Sequence, residues 1–227
     1  AYEITCRDGV QTCALPIYGL FTSGDGVGCF GHKFSSGSHA EGRMAAKSMA
    51  RFVRDNAGFK PTLKQSKAEL VDLVYKPVRT FLDNCNYTTA VDINPNYIKP
   101  NGMMYRLMKA THEYGAGTAT FYQTSSKMLE VVMDLLATMR EDCEKLAAGD
   151  LHELMRAWEI EHRIWTVEAH LRHIQFRKET RYPGFYYQAD YPGQDDANWF
   201  CFVNSKYDPA NKKWDIFKKE YIKIIPD

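Results

Sequence analysis

No C-x-x-C pair occurs among the six cysteines, Cys6, Cys13, Cys29, Cys85, Cys143 and Cys201. The paired thiolates of zinc knuckles and iron–sulfur ligand runs are therefore missing, and these side chains are expected to be free thiols. No stretch approaches the roughly 20 continuous apolar residues that cross a bilayer, and no basic segment with an apolar core opens the chain. Direct membrane insertion is thus not expected, and a cytoplasmic location is. An excess of either charge is missing as well. The 29 basic and 28 acidic side chains leave +1, too little to draw the whole molecule to nucleic acid or to an anionic membrane, so a partner has to be met through local surface. Internal repeats and low-complexity tracts are absent too.

What is present is an ordinary globular composition, 44% hydrophobic and 25% charged over 227 residues. That length suffices for one large or two small domains with a buried core. The first 17 residues stand apart. Gly9 to Ile17 can be written in codons that spell the end of a common short-read sequencing adapter, so residues 1–17 are expected to be an artefact outside the fold. The competing reading is a native loop with weak strand character at Ala14-Leu15-Pro16-Ile17.

From Tyr18 the pattern becomes coherent. A short apolar run, Tyr18-Gly19-Leu20-Phe21-Thr22, leads into a glycine-rich loop, and a helix is predicted from Ser38, with Ser38 as N-cap and Glu41 as its capping-box partner. Met44, Ala45, Ser48, Met49, Phe52 and Val53 recur at helical spacing until Asn56-Ala57-Gly58 stops them. A second helix is predicted over 66–82, kinked at Pro77, followed by an Asn- and Pro-rich connection. Three more helices are predicted at about 103–114, 125–148 and 150–178. The middle one carries Met128, Val131, Val132, Leu135, Leu136, Met139, Cys143 and Leu146 on one stripe that needs a partner helix. Asp150 suits the N-cap of the last. Beyond Lys178 the composition turns to Tyr, Pro, Gly and Trp. Residues 199–203, a turn at 208–211, and residues 214–217 read as a hairpin, with a final short strand over 221–225.

The loop carries the chemistry. Glycines at Gly24, Gly26 and Gly28 let the backbone pass close to a ligand, Asp25 can accept from ligand hydroxyls, and Ser35-Ser36-Gly37-Ser38 sits at a helix mouth that favours electron-rich groups. Alone, this pattern fits a structural turn equally well. The segment Gly19-Leu20-Phe21-Thr22-Ser23-Gly24-Asp25-Gly26, however, resembles a flavin-contacting segment of the succinate dehydrogenase and fumarate reductase flavoprotein superfamily. Within it, residues 31–43, Gly31-His32-Lys33-Phe34-Ser35-Ser36-Gly37-Ser38-His39-Ala40-Glu41-Gly42-Arg43, resemble the adenylylsulfate reductase flavoproteins. Lys33-Phe34 stands about where the succinate and fumarate enzymes have an asparagine–arginine pair. Residues 179–187, 195–199 and 201–209 resemble the later part of the same family.

The resemblance implies an α+β architecture: the C-terminal end of a flavin-binding α/β domain (18–100), a helical bundle domain (101–180) and a short β-hairpin tail (181–227). It implies FAD as cofactor and two-electron reduction of adenosine 5′-phosphosulfate to AMP and sulfite, or the reverse, through a sulfite adduct at flavin N5. His32 is then the substrate-facing catalytic residue and Lys33 a second positive group there, although a solvated lysine is the plain alternative. Gly24, Asp25, Gly26, Ser35, Ser36, Gly37, Ser38 and His39 are the cofactor-binding candidates. Glu41 is another, with its capping role of equal weight.

Arg181 is expected to reach the cofactor or to anchor the helical domain, and Phe81 to be core. The implied partner is an iron–sulfur beta subunit that holds the [4Fe-4S] clusters, with the aromatic tail as its candidate contact. The segment that binds the flavin diphosphate is expected upstream of this region, so the chain alone is expected to be inactive. Two other readings compete. One is a fumarate reductase, succinate dehydrogenase or aspartate oxidase relative. The other is a non-catalytic helical module. A di-iron bundle is suggested only by the single Glu159/His162 pair, where two such pairs are needed.

Overall fold

The computed structural model describes Phe21, Ser23, Gly24, Lys60 and residues 35–58, 62–87, 94–181 and 185–220. They fall into two compact units divided between Lys64 and Gln65. Residues 1–17 and the predicted last strand lie outside the described residues.

The first unit is built on helix α1, Ser35–Asp55. It begins earlier than its sequence suggests. Ser38 therefore lies a turn inside the helix, and the expected capping box with Glu41 does not form; the Glu41 carboxylate instead accepts the N–H of Gly24. The buried line of α1 is Gly37, Glu41 and Ala45, four residues apart, as one face of a 3.6-residue period requires. Met49 and Val53, expected on that face, are exposed. Asn56 ends the helix by bonding the Phe52 carbonyl with both its backbone and side-chain nitrogens, each at 2.9 Å.

The second unit opens with α2, Lys67–Val74, and α3, Lys76–Asn84. Ser66 and Glu69 close a capping box on α2. The single kinked helix predicted over 66–82 is two helices, separated at Tyr75. Pro77 is the reason: its ring and missing N–H are tolerated only in a first turn, so it starts α3 rather than bending a longer helix.

Helices α4 (Pro100–Tyr114), α5 (Ser126–Asp142) and α6 (Leu151–Phe176) form the bundle. Its core joins Met103, Leu107 and Ala110 of α4 to Leu129, Val132, Leu136 and Met139 of α5 and Ala157, Ile160, Ile164, Leu171 and Ile174 of α6. The α5 stripe is thus rotated from the predicted one, with Val131 and Leu135 at the margin. Helix α5 also ends before the expected 148. After a single tight turn at Cys143–Lys145, the backbone is taken up by tertiary bonds: Ile98 N to Lys145 O at 2.8 Å, Ala147 N to Ile98 O at 3.0 Å and Ala148 N to Pro77 O at 2.9 Å. Asp150 caps α6 as predicted, accepting the Glu153 N–H at 2.8 Å.

Two short strands, β1 (Gln123–Thr124) and β2 (Tyr187–Gln188), pair in parallel. After the turn of helix α7, Asp196–Trp199, come the hairpin strands β3 (Cys201–Asp208) and β4 (Lys213–Glu220), which pair antiparallel with Cys201 opposite Glu220 and Asp208 opposite Lys213. Trp199 belongs to α7 and not to the strand in which its sequence places it. The hairpin packs on α6 through Trp165, whose ring lies 4.7 Å from that of Tyr207 and 6.2 Å from that of Trp214. An isolated two-stranded ribbon is marginal in water, so this aromatic contact is what holds it. Among the described residues no helix is long and apolar enough to cross a membrane.

Candidate functional site

The glycine loop is fastened to α1 at two points. Phe21 meets Phe52 edge-on, with ring centroids 5.9 Å apart and planes at 77°. Gly24 adopts φ +65°, a left-handed conformation that L side chains rarely take, and a Cβ there would stand 3.4 Å from the Ser38 hydroxyl. The torsion calls for glycine, while the Cβ distance is an ordinary van der Waals contact. Glu41 is only 1% exposed, and such a carboxylate needs donors; the Gly24 N–H is one. The buried acid of α1 thereby positions the start of the loop.

The first turn of α1 reads Ser35-Ser36-Gly37-Ser38 and holds no acidic side chain. Its N–H groups point out of the helix end, where the peptide dipoles leave partial positive charge. That donor set suits an electron-rich group lying across the helix mouth. Ser35, Ser36 and His39 are exposed there, Gly37 is buried and Ser38 is half-buried. Of the residues singled out by sequence, the structure brings together Gly24, Ser38 and Glu41. Asp25, Gly26, His32 and Lys33 lie outside the described residues.

Arg181 is held in an ion-pair cluster. It binds Glu179 at 2.6 and 2.9 Å and Asp196 at 2.8 Å. Glu179 is fully buried and also accepts from Arg177 at 2.6 Å and from the Asp195 N–H at 2.8 Å. Burial alone would raise its pKa. The hydrogen bonds from Arg181, Asp195 and Arg177 outweigh that and hold it below the usual carboxylate range. Phe81 sits against Tyr97, with centroids 5.9 Å apart, and under the Lys99 ammonium at 5.2 Å.

A second buried acid, Glu168, accepts from Arg140, from Arg172 at 2.8 Å and from the Trp214 indole at 3.0 Å. It was legible in principle: Glu168 interrupts the apolar line Ile160, Ile164, Leu171 of α6. Glu179 carries no such signal, since it lies in an aperiodic connection. Glu159 is held by Arg156 at 2.8 Å and Arg163 at 2.6 Å, and the described residues contain no group of three or more His, Cys, Asp and Glu arranged to hold a metal.

No protein-family model matches the chain. The adenylylsulfate reductase subunit alpha of Megalodesulfovibrio gigas is 50% identical to it over 226 residues, which is 99% of this chain and 34% of that protein. The chain thus spans about a third of the length of the curated relative it matches. Among solved structures, adenylylsulfate reductase from Archaeoglobus fulgidus superposes with a TM-score of 0.85 at 49% identity, covering 91% of this chain and 32% of that one. An adenosine-5-phosphosulfate reductase in complex with sulfite, as a covalent adduct, matches with the same figures. Quinol fumarate reductase of E. coli reaches a TM-score of 0.70 at 19% identity over 95% of this chain and 36% of that one, a likeness of fold alone.

Proposed function

We propose, from the premise that this chain belongs to the adenylylsulfate reductase alpha-subunit family and matches its C-terminal part, that it supplies one wall of a flavin site in an enzyme interconverting adenosine 5′-phosphosulfate with AMP and sulfite. The observation that carries this reading is 50% identity over 226 residues, joined to a helix mouth on α1 whose donors suit such a cofactor. A bound FAD supplies the two electrons that reduce the sulfur.

The chain's own residues do the rest. The N–H groups of the first turn of α1, with Ser35, Ser36, Gly37, Ser38 and His39, face the pyrimidine edge of the ring and stabilise negative charge there. Asp25 binds the ribityl part, with Gly26 beside it letting the backbone come close. Glu41 keeps the loop in register by holding Gly24. His32 and Lys33 place positive charge beside the sulfate and the phosphate that leaves with AMP. Electrons come from a separate iron–sulfur beta subunit with [4Fe-4S] clusters, and the assembly works in the cytoplasm.

The fumarate-type alternative is the weaker reading, because the fumarate reductase shares 19% identity against 49% for the adenylylsulfate enzyme. A full-length protein containing this segment, co-expressed with its iron–sulfur partner, provides the test. It is expected to hold one FAD and to reduce an artificial acceptor only when both AMP and sulfite are supplied. A flavin-free protein, or one that oxidises succinate and ignores sulfite, overturns the assignment.

A further inference from the structure

Two segments far apart in the chain meet where β1 pairs with β2, and a set of hydrogen bonds closes their junction. The Thr124 hydroxyl donates to the Tyr114 carbonyl at 2.8 Å, and the Thr124 carbonyl accepts the Ala189 N–H at 2.8 Å. The Thr180 hydroxyl donates to the Tyr191 carbonyl at 2.9 Å and accepts the Gln188 N–H at 3.0 Å. The Asp190 carboxylate accepts the Ser126 N–H at 2.7 Å and so fastens the start of α5. The side chain of Gln188 stands out against this background. It is 0% exposed, yet neither its Oε1 nor its Nε2 has a hydrogen-bond partner among the described residues.

A primary amide brings two donors and two acceptor lone pairs, and burying it with all of them unpaired is costly. Exchanging the two ends of the amide does not help, because both are unpaired. An ion does not fit either: a cation satisfies the oxygen and is repelled by the N–H groups, and an anion does the reverse. Water both donates and accepts, so it suits either end. A further partner for it stands alongside. Thr124 is the register partner of Gln188, which puts both side chains on one face of the strand pair, and both residues are fully buried. Having donated its proton to Tyr114, the Thr124 hydroxyl keeps lone pairs that can accept from a water. We infer that Gln188 and Thr124 bind at least one internal water at the β1–β2 junction. The inference is independent of the flavin reading. The water completes a polar network that joins the end of α4, the start of α5 and the chain after α6, and a network left half-satisfied would be a weak point. The chain enters β1 through Phe121 and Tyr122 at φ +51° and +63°, left-handed torsions that bulky side chains rarely hold. The Tyr122 carbonyl accepts the Tyr187 N–H at 2.7 Å, so the strand pair that the water braces is also what keeps this strained entry in place.

The test is a crystal structure of the full-length protein that contains this segment, at a resolution that shows ordered solvent. A water peak is expected about 3 Å from the Gln188 amide and from the Thr124 hydroxyl oxygen. A Gln188 amide bonded directly to protein groups, with no such peak, overturns the inference, as does a peak with the short distances and anomalous signal of a metal ion. Gln188→Met keeps the length of the side chain and removes both polar ends, and the peak is expected to vanish from its structure. A peak that stays at full occupancy in the variant shows that other groups hold the water and overturns the assignment to Gln188. The denaturant midpoint of Gln188→Met is expected to fall. A rise overturns the inference too, because it is what relief of an amide with no partner to lose would produce. Should the variant fail to fold, the wild-type density decides alone.

Discussion

Glu179 shows how one side chain ties three parts of the chain together. Its carboxylate gathers Arg177, Arg181 and the Asp195 backbone, and through Arg177 the carbonyls of Trp199 and Cys201. Removing the charge in Glu179→Gln leaves the nearly buried Arg177 without a carboxylate and Arg181 with only the exposed Asp196, which is expected to cost about 3 kcal/mol of unfolding free energy, read from urea titrations. A loss below about 1 kcal/mol would mean that solvent already screens the cluster. Because the folded pKa lies below the unfolded one, the stabilisation is complete above the unfolded pKa and is lost as pH falls through the lowered folded value. Amide protection factors in residues 195–201, which remove the intrinsic pH dependence of exchange, are therefore expected to fall on acidification in the wild type and to lose that dependence in Glu179→Gln. Cys143 gives a second outcome. Burial first, then the charges of Glu161, Asp142 and Glu144, push its thiol up to about 12, so almost no thiolate exists near neutrality. Alkylation at pH 8 followed by mass spectrometry is expected to leave Cys143 unlabelled, and fast labelling would contradict the burial seen.

Helix α5 shows where a periodic pattern points the right way and still misses. Its apolar residues outnumber the positions that face the bundle, so the sequence stripe is wider than the buried line Leu129, Val132, Leu136, Met139. Leu136 is fully buried and Leu135 is 37% exposed. Leu136→Ala is accordingly expected to cost about 3 kcal/mol, and Leu135→Ala less than about 1 kcal/mol, by thermal or urea unfolding. Equal costs would restore the stripe read from sequence. The end of α5 and the break between α2 and α3 have different causes. A backbone group leaves a helix where another segment offers a better partner, as Ile98 and Pro77 do for residues 145–148, or where proline withholds an N–H.

The whole chain matches about a third of its relative, and the wall it contributes to the proposed flavin site is one-sided. The first turn of α1 offers backbone donors, while the segment that binds the flavin diphosphate is expected elsewhere in the longer polypeptide. The 227-residue chain purified by itself is therefore expected to be colourless, with no flavin released on denaturation and no turnover with AMP and sulfite. Yellow protein carrying one flavin per chain would show that this region alone holds the cofactor.

Aspartate at 150 announced a cap through local backbone preference, which nearest neighbours along the chain determine, whereas proline at 77 announced a kink that proved to be a break and the serines a helix start that lies three residues earlier, at Ser35. The family likeness was legible in residues 19–26, 31–43, 179–187, 195–199 and 201–209. The burial of Glu168 and Glu179, the acceptor role of Glu41 and the true face of α5 were decided by folding. Each depends on groups many residues apart arriving at one point, and in a low-dielectric interior the bonds such groups make are worth enough to override local preference.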